Sequence, residues 1–145
     1  MAEKALVQLL ATLRTSQPSS YPRAANTLSQ AKLHLCSLSA LAPTAQTPSS
    51  AIPLAREVFE IGAILSIRAI GHLTSKGQSN ADTIMAVREA FVRNVAQLRP
   101  FYELPLSTLY PANGPSAVSE YNTPESRNKV TGLYLLLLLT EGRYA

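Results

Sequence analysis

Few side chains in this sequence are able to do chemistry. The 145 residues hold two histidines, His34 and His72, and one cysteine, Cys36. A thiol–imidazole dyad needs its two groups within hydrogen-bond reach. His34 and Cys36 stand two apart in a stretch of helical spacing, where such residues point in different directions. His72 falls in the Gly- and Ser-containing stretch 71–77, with no Cys or His beside it. One cysteine and two histidines fall short of a usual zinc set unless distant carboxylates join them. Glu57 and Glu60 form a candidate carboxylate pair for acid–base work. The simpler expectation is two solvated side chains with Arg56 as a neighbour. No glycine-rich stretch matches a phosphate-cradling pattern. The expected catalytic, cofactor-binding and metal-binding residues are therefore none, and function is expected to reside in contacts.

The elements that would position these residues are helices. Leu6, Leu9, Leu10 and Leu13 make one stripe of a helix over 3–14. After a loop at 15–20, Pro22 is a good first helical residue, since the donor it lacks would be orphaned there anyway. Ala24, Leu28, Ala31, Leu35 and Leu38 follow at helical spacing. A loop at 42–50 precedes a third helix from Pro53 to about 70. It has two stripes, Leu54, Val58, Ile61, Leu65 and Ala55, Phe59, Ala63, Ile67, so contact on two sides is expected. Gly62 between them would let a neighbour approach closely. A polar, flexible connector is expected at 71–81. A fourth helix, from Asp82 to Leu98 and ended by Pro100, presents Ile84, Val87, Phe91, Val95 and Leu98. The stretch 104–122 has several prolines and no period. Thr123 and Pro124 open a fifth helix to Thr140, with Gly142 as its terminator. Its apolar stretch 129–139 calls for cover on most sides from elements expected to follow residue 145, so apolar area within 133–139 is expected to be exposed in this chain. No segment alternates as a strand, so the expected fold is all-α, an antiparallel helical-repeat α-solenoid in one domain over 1–145.

Bulk properties narrow the class. The charged fraction is 15%, against about 25% in a typical globular chain. Net charge is +4, concentrated in residues 1–50, which carry four basic residues and one acidic. No basic run occurs and there is no tryptophan, which argues against specific nucleic-acid binding. A single cysteine fits a reducing compartment. The longest strongly apolar run, 133–139, is shorter than the ~20 residues of a membrane span. No secretory signal is visible at the start. The expectation is a soluble protein of cytoplasm and nucleus, with no cofactor, no small-molecule ligand and no membrane partner.

Three stretches carry a resemblance to a known family. Ala55-Arg56-Glu57-Val58-Phe59-Glu60-Ile61-Gly62-Ala63, followed by Ser66-Ile67, resembles the signature helix of a PCI-family subunit of the 26S proteasome lid. Val95-Ala96-Gln97-Leu98-Arg99-Pro100-Phe101-Tyr102 resembles the exit of a later helix with its paired aromatics. Gly132-Leu133-Tyr134-Leu135-Leu136-Leu137-Leu138-Leu139, with Gly142-Arg143-Tyr144-Ala145, resembles the next helix and the start of another. The three occur in the family's order. The resemblance implies a TPR-like stack of helices, followed in the family by a winged-helix PCI module and a C-terminal helix. It implies a non-catalytic subunit that helps lid and base join into the particle that processes ubiquitinated proteins, with other lid and base subunits as partners. The sequence departs from the family in stopping before the PCI module and in the polar stretch at 71–81. Alternative readings are a PCI-type scaffold of the signalosome or of translation initiation factor three, and, from another class, a small basic helical nucleic-acid adapter.

Overall fold

The computed structural model describes residues 2–77, 81–113 and 121–140, and every regular element within them is helical. Helix α1 (Ala2–Arg14) leads through a short 3-10 turn at Pro18–Ser20 into α2 (Tyr21–Ser37). Two long helices follow, α3 (Ala51–Ser75) and α4 (Ala81–Tyr102). A single turn, α5 (Leu106–Leu109), precedes α6 (Pro124–Thr140).

The first two helices form where the apolar spacing requires. α1 buries Leu6, Leu10 and Leu13, with Leu9 half-buried beside them. α2 buries Ala24, Leu28, Ala31 and Leu35. Its end is closed by Ser39, a non-glycine residue with φ 57°. That left-handed turn lets the Ala40 N–H donate to the Leu35 carbonyl at 2.8 Å and the Ser39 N–H to the Cys36 carbonyl at 3.1 Å. These bonds, with the Leu38 N–H donating to the His34 and Leu35 carbonyls at 3.1 Å, satisfy the last carbonyls of the helix.

α3 is the centre of the molecule, and every other helix packs against it. Both of its expected stripes are buried, with only Ile67 at the half-buried edge. Burial is unbroken from Pro53 to Ser66. By length and apolarity α3 would suffice to cross a membrane, yet more than half of the qualifying stretch is packed inside this fold. Gly62 does permit a close approach: a Cβ there would lie 2.9 Å from Asn94 Oδ1 on α4. α4 buries Val87, Phe91, Asn94, Val95, Leu98 and Phe101. Ring contacts tie the layers, with Phe59 and Phe101 centroids 5.8 Å apart and Phe91 and Tyr134 centroids 6.5 Å apart.

Several boundaries differ from expectation. α3 starts at Ala51 because a proline at the third position still lies in the first turn, where N–H groups have no intrahelical acceptor. It continues to Ser75, so residues 71–75 of the expected connector are its last turns. α4 runs through Pro100 to Tyr102. Proline there removes one hydrogen bond near the helix end. Burial of Phe101 and a hydrogen bond from Tyr102 offset that loss. The stretch 104–122 contains α5, whose Leu109 is fully buried. Residues 78–80 and 114–120, and Gly142 with its neighbours, lie outside the described residues.

α6 buries Ser126 and Val130 and half-buries Leu133, Tyr134 and Leu137, but Leu135, Leu136 and Leu139 are 54%, 59% and 55% exposed. The apolar exposure expected within 133–139 is therefore present. Consecutive leucines point all round a helix, whereas α6 meets chiefly α3 and α4.

Truncating a fully buried phenylalanine costs about 3–5 kcal/mol. Phe91→Ala is expected to lower the urea unfolding midpoint by that measure, whereas Met85→Ala, at an exposed position of the same helix, should leave it nearly unchanged. An unaltered midpoint in Phe91→Ala would refute the α4 packing face.

Candidate functional site: a buried polar node

Arg56, Glu57 and Glu60 are fully buried. The expectation that Glu57 and Glu60 are solvated is thus overturned, and the cause is specific partners from other elements. Arg14, at the end of α1, grips Glu57 with both arms of its guanidinium. Its Nε donates to Oε2 at 2.6 Å and its Nη2 to Oε1 at 2.8 Å. Bidentate geometry of this kind gives the strongest of the ordinary charge-assisted pairs. It also tightens the hold of Arg14 on its proton, against the effect of partial burial.

Arg56 and Glu60 are four residues apart, so they share a face of α3. Arg56 Nη1 donates to Glu60 Oε1 at 2.6 Å and to the Tyr121 carbonyl at 2.7 Å, and Nε donates to the Leu109 carbonyl at 3.1 Å. Its guanidinium lies 4.4 Å from the Tyr110 ring centre. Nη2 is buried without a hydrogen-bond partner. The second oxygen of Glu60 accepts from Tyr102 at 2.8 Å and from Tyr110 at 3.0 Å. Burial pushes the Glu60 carboxyl above the usual carboxylate range, while Arg56 and the two phenols pull it back. Burial and the Glu60 charge drive both phenols well above their ordinary range.

This arrangement is a clamp. Glu60 Oε2 accepts from two phenols and Oε1 from a guanidinium, which leaves little room for a substrate proton. Cavities of about 200, 210 and 310 Å³ open elsewhere on the surface, and neither Glu57 nor Glu60 lines them. His72 and Cys36 line separate cavities, and His34 makes no hydrogen bond to Cys36. Among the described residues no cluster of His, Cys, Asp or Glu is arranged to hold a metal. Sequence reasoning found Arg56, Glu57 and Glu60 but missed Arg14, Tyr102 and Tyr110. The one local signal was the i, i+4 charge pair inside an apolar run.

A second polar contact joins α2 to α4. Lys32 Nζ donates to Gln97 Oε1 at 3.1 Å and sits 5.5 Å from the Phe59 ring centre. Burial, aided by the charge of Arg93, pushes its amine down to about 8.

The folded and sited chain is thus an all-α domain locked by a buried ionic node. Comparison with protein-family models, with curated proteins and with solved structures returns no match.

Breaking a buried pair from one side costs about 3–5 kcal/mol, because the other charge is left uncompensated. Glu60→Leu should show that loss in urea unfolding, and Arg56→Met with Glu60→Leu should lose less than the two single changes summed. Additive losses would mean that the two side chains are not coupled. For Lys32, the native pKa lies below the unfolded one, so between about pH 8 and 10 the unfolded chain binds more protons and stability rises with pH. The side chain is partly solvated, so the gain of wild type over Lys32→Met between pH 7 and 9.5 should be at most about 1 kcal/mol. A flat or falling difference would contradict the placement of the amine.

Proposed function

We propose that this chain is a helical-repeat part of a non-catalytic PCI-family subunit of the 26S proteasome lid. The likeness is to non-ATPase regulatory subunit 8. In this reading it acts through protein contacts with other lid and base subunits, in cytoplasm and nucleus, in support of ubiquitin-dependent degradation.

The observation that carries the reading is spatial. The described residues of the three stretches that resemble the family lie on α3, α4 and α6, and these three helices pack on one another. Residues 55–63 form the most enclosed part of α3. Phe101 of the second stretch stacks near Phe59 of the first, and Tyr102 donates to Glu60. Arg99 of the second lies 5.8 Å from the ring centre of Tyr134 in the third. The exposed Leu135, Leu136 and Leu139 then serve as the face onto which the next layer of a helical repeat docks.

Isolation of the endogenous protein under native conditions, with identification of its companions, tests the proposal. Lid subunits should dominate, and Leu136→Glu should reduce their recovery without loss of helicity. Companions from the signalosome or from translation initiation factor three would displace the lid assignment. Recovery that depends on RNA or DNA and falls steeply with salt would displace the scaffold reading altogether.

A further inference from the structure

The chain contains two Thr-Pro dipeptides, and their hydroxyls differ in surroundings. At Thr47-Pro48 the hydroxyl is committed to its own loop. It donates to the Ser39 carbonyl at 2.6 Å and accepts from the Thr44 N–H at 3.0 Å. At Thr123-Pro124 the threonine is exposed, its hydroxyl makes no hydrogen bond among the described residues, and Pro124 is the first residue of α6. Thr123 lines a cavity of about 210 Å³ between α3 and the start of α6. Arg68 of α3 and Lys129 of α6 line the same cavity, and among the described residues neither makes an ion pair. Ser126 lines it as well. That residue is only 7% exposed, yet its hydroxyl has no hydrogen-bond partner among the described residues. The first turn of this 17-residue helix adds N–H groups that have no acceptor within the helix. Two unpaired cations, a buried unpartnered hydroxyl and a helix amino end thus converge beside an unengaged threonine. One carboxylate, the exposed Glu125, shares the cavity with them.

We propose that Thr123 is a phosphorylation site, modified by a proline-directed protein kinase, and that the cavity holds its phosphate through Arg68, Lys129 and Ser126. In the transfer, Thr123 Oγ1 attacks the terminal phosphorus of a nucleoside triphosphate. An oxygen–phosphorus bond forms and the bond from that phosphorus to its bridging oxygen breaks. A nucleoside diphosphate leaves, and the hydroxyl proton passes to solvent. The product carries close to two negative charges and three strong acceptor oxygens. At a helix start such a group is favoured by the helix dipole and by the unpaired N–H groups. Arg68 offers a planar fork that suits phosphate, and Lys129 a point charge. The Ser126 hydroxyl gains the acceptor it lacks. Glu125 opposes the phosphate, but its side chain is exposed and can turn to water. Thr47 has none of these advantages. Its hydroxyl would have to leave the Ser39 carbonyl, and the cavity lined by its partners Ser39 and Thr44 contains no cation. The inference is independent of the lid assignment.

The test treats the whole chain with magnesium ATP and a proline-directed kinase. Phosphate is mapped by peptide mass spectrometry, and the phosphothreonine is followed by phosphorus NMR across pH. Thr123 should be modified several-fold faster than Thr47. The second ionisation of a phosphothreonine, ordinarily about 6, should fall by about half a unit or more in the folded chain, because nearby cations favour the dianion. It should return to its ordinary value in urea. Arg68→Gln combined with Lys129→Gln, both changes at exposed positions, should remove most of that fall while the helical content stays unchanged. Modification of Thr47 in preference to Thr123, or of neither, would overturn the proposal. A second ionisation that is the same folded and in urea, or a fall that persists undiminished in the double variant, would overturn the place given to the cavity.

Discussion

Three charges enclosed on one helix set the terms for the rest of the molecule. Moving an ion out of water costs several kcal/mol even after relaxation. α3 carries Arg56, Glu57 and Glu60 within a stretch where no residue from Pro53 to Ser66 reaches solvent appreciably. Each must find counter-charge or hydrogen bonds from outside α3, apart from the Arg56–Glu60 pair itself. The end of α1, the end of α4 and the chain around α5 are the elements that supply them. Their positions follow from that requirement at least as much as from apolar packing.

The same constraint explains features that look awkward in isolation. α4 tolerates Pro100 in its last turn because stopping earlier would withdraw Phe101 from the core and Tyr102 from Glu60. α5 is only four residues long, too short to persist alone. It is held because the Leu109 carbonyl accepts from Arg56 while the Leu109 side chain is buried. The close crossing of α3 and α4 at Gly62 brings these donors within reach. Asn94 is buried at that crossing, with Nδ2 bonded to the Ala90 carbonyl and Oδ1 against Gly62.

The apolar faces were legible in the sequence because helical spacing is a local property. Leu6, Leu10 and Leu13 on α1, the Ala24–Leu35 stripe of α2 and Phe91 on α4 are buried as their periodicity implies. The node was legible only in part. Whether Glu60 is solvated depends on Tyr102 and Tyr110, which lie 42 and 50 residues away, and no window along the chain contains both ends of those bonds. The partial cover of α6 was legible as an excess of apolar side chains over available neighbours. Its leucines are unmistakable in sequence, and α6 meets chiefly α3 and α4. Pro100 misled as a breaker because the buried Phe101 and the Tyr102 hydrogen bond to Glu60 lie just beyond it and hold the last turn in place.

The long reach of the node has a consequence for synthesis. Arg56 receives its acceptors from residues 53 and 65 positions further along, at Leu109 and Tyr121. Translation at about 5–20 residues per second separates these events by several seconds. During that interval α1, α2 and α3 have left the ribosome, and their local apolar contacts and the Arg14–Glu57 pair are already available. Arg56 still lacks its backbone acceptors. The hydrogen bonds of Arg56 to Leu109 and Tyr121 can therefore form only after the segment beyond α4 has been made, so the node is among the last parts of the α3 surroundings to be completed during synthesis.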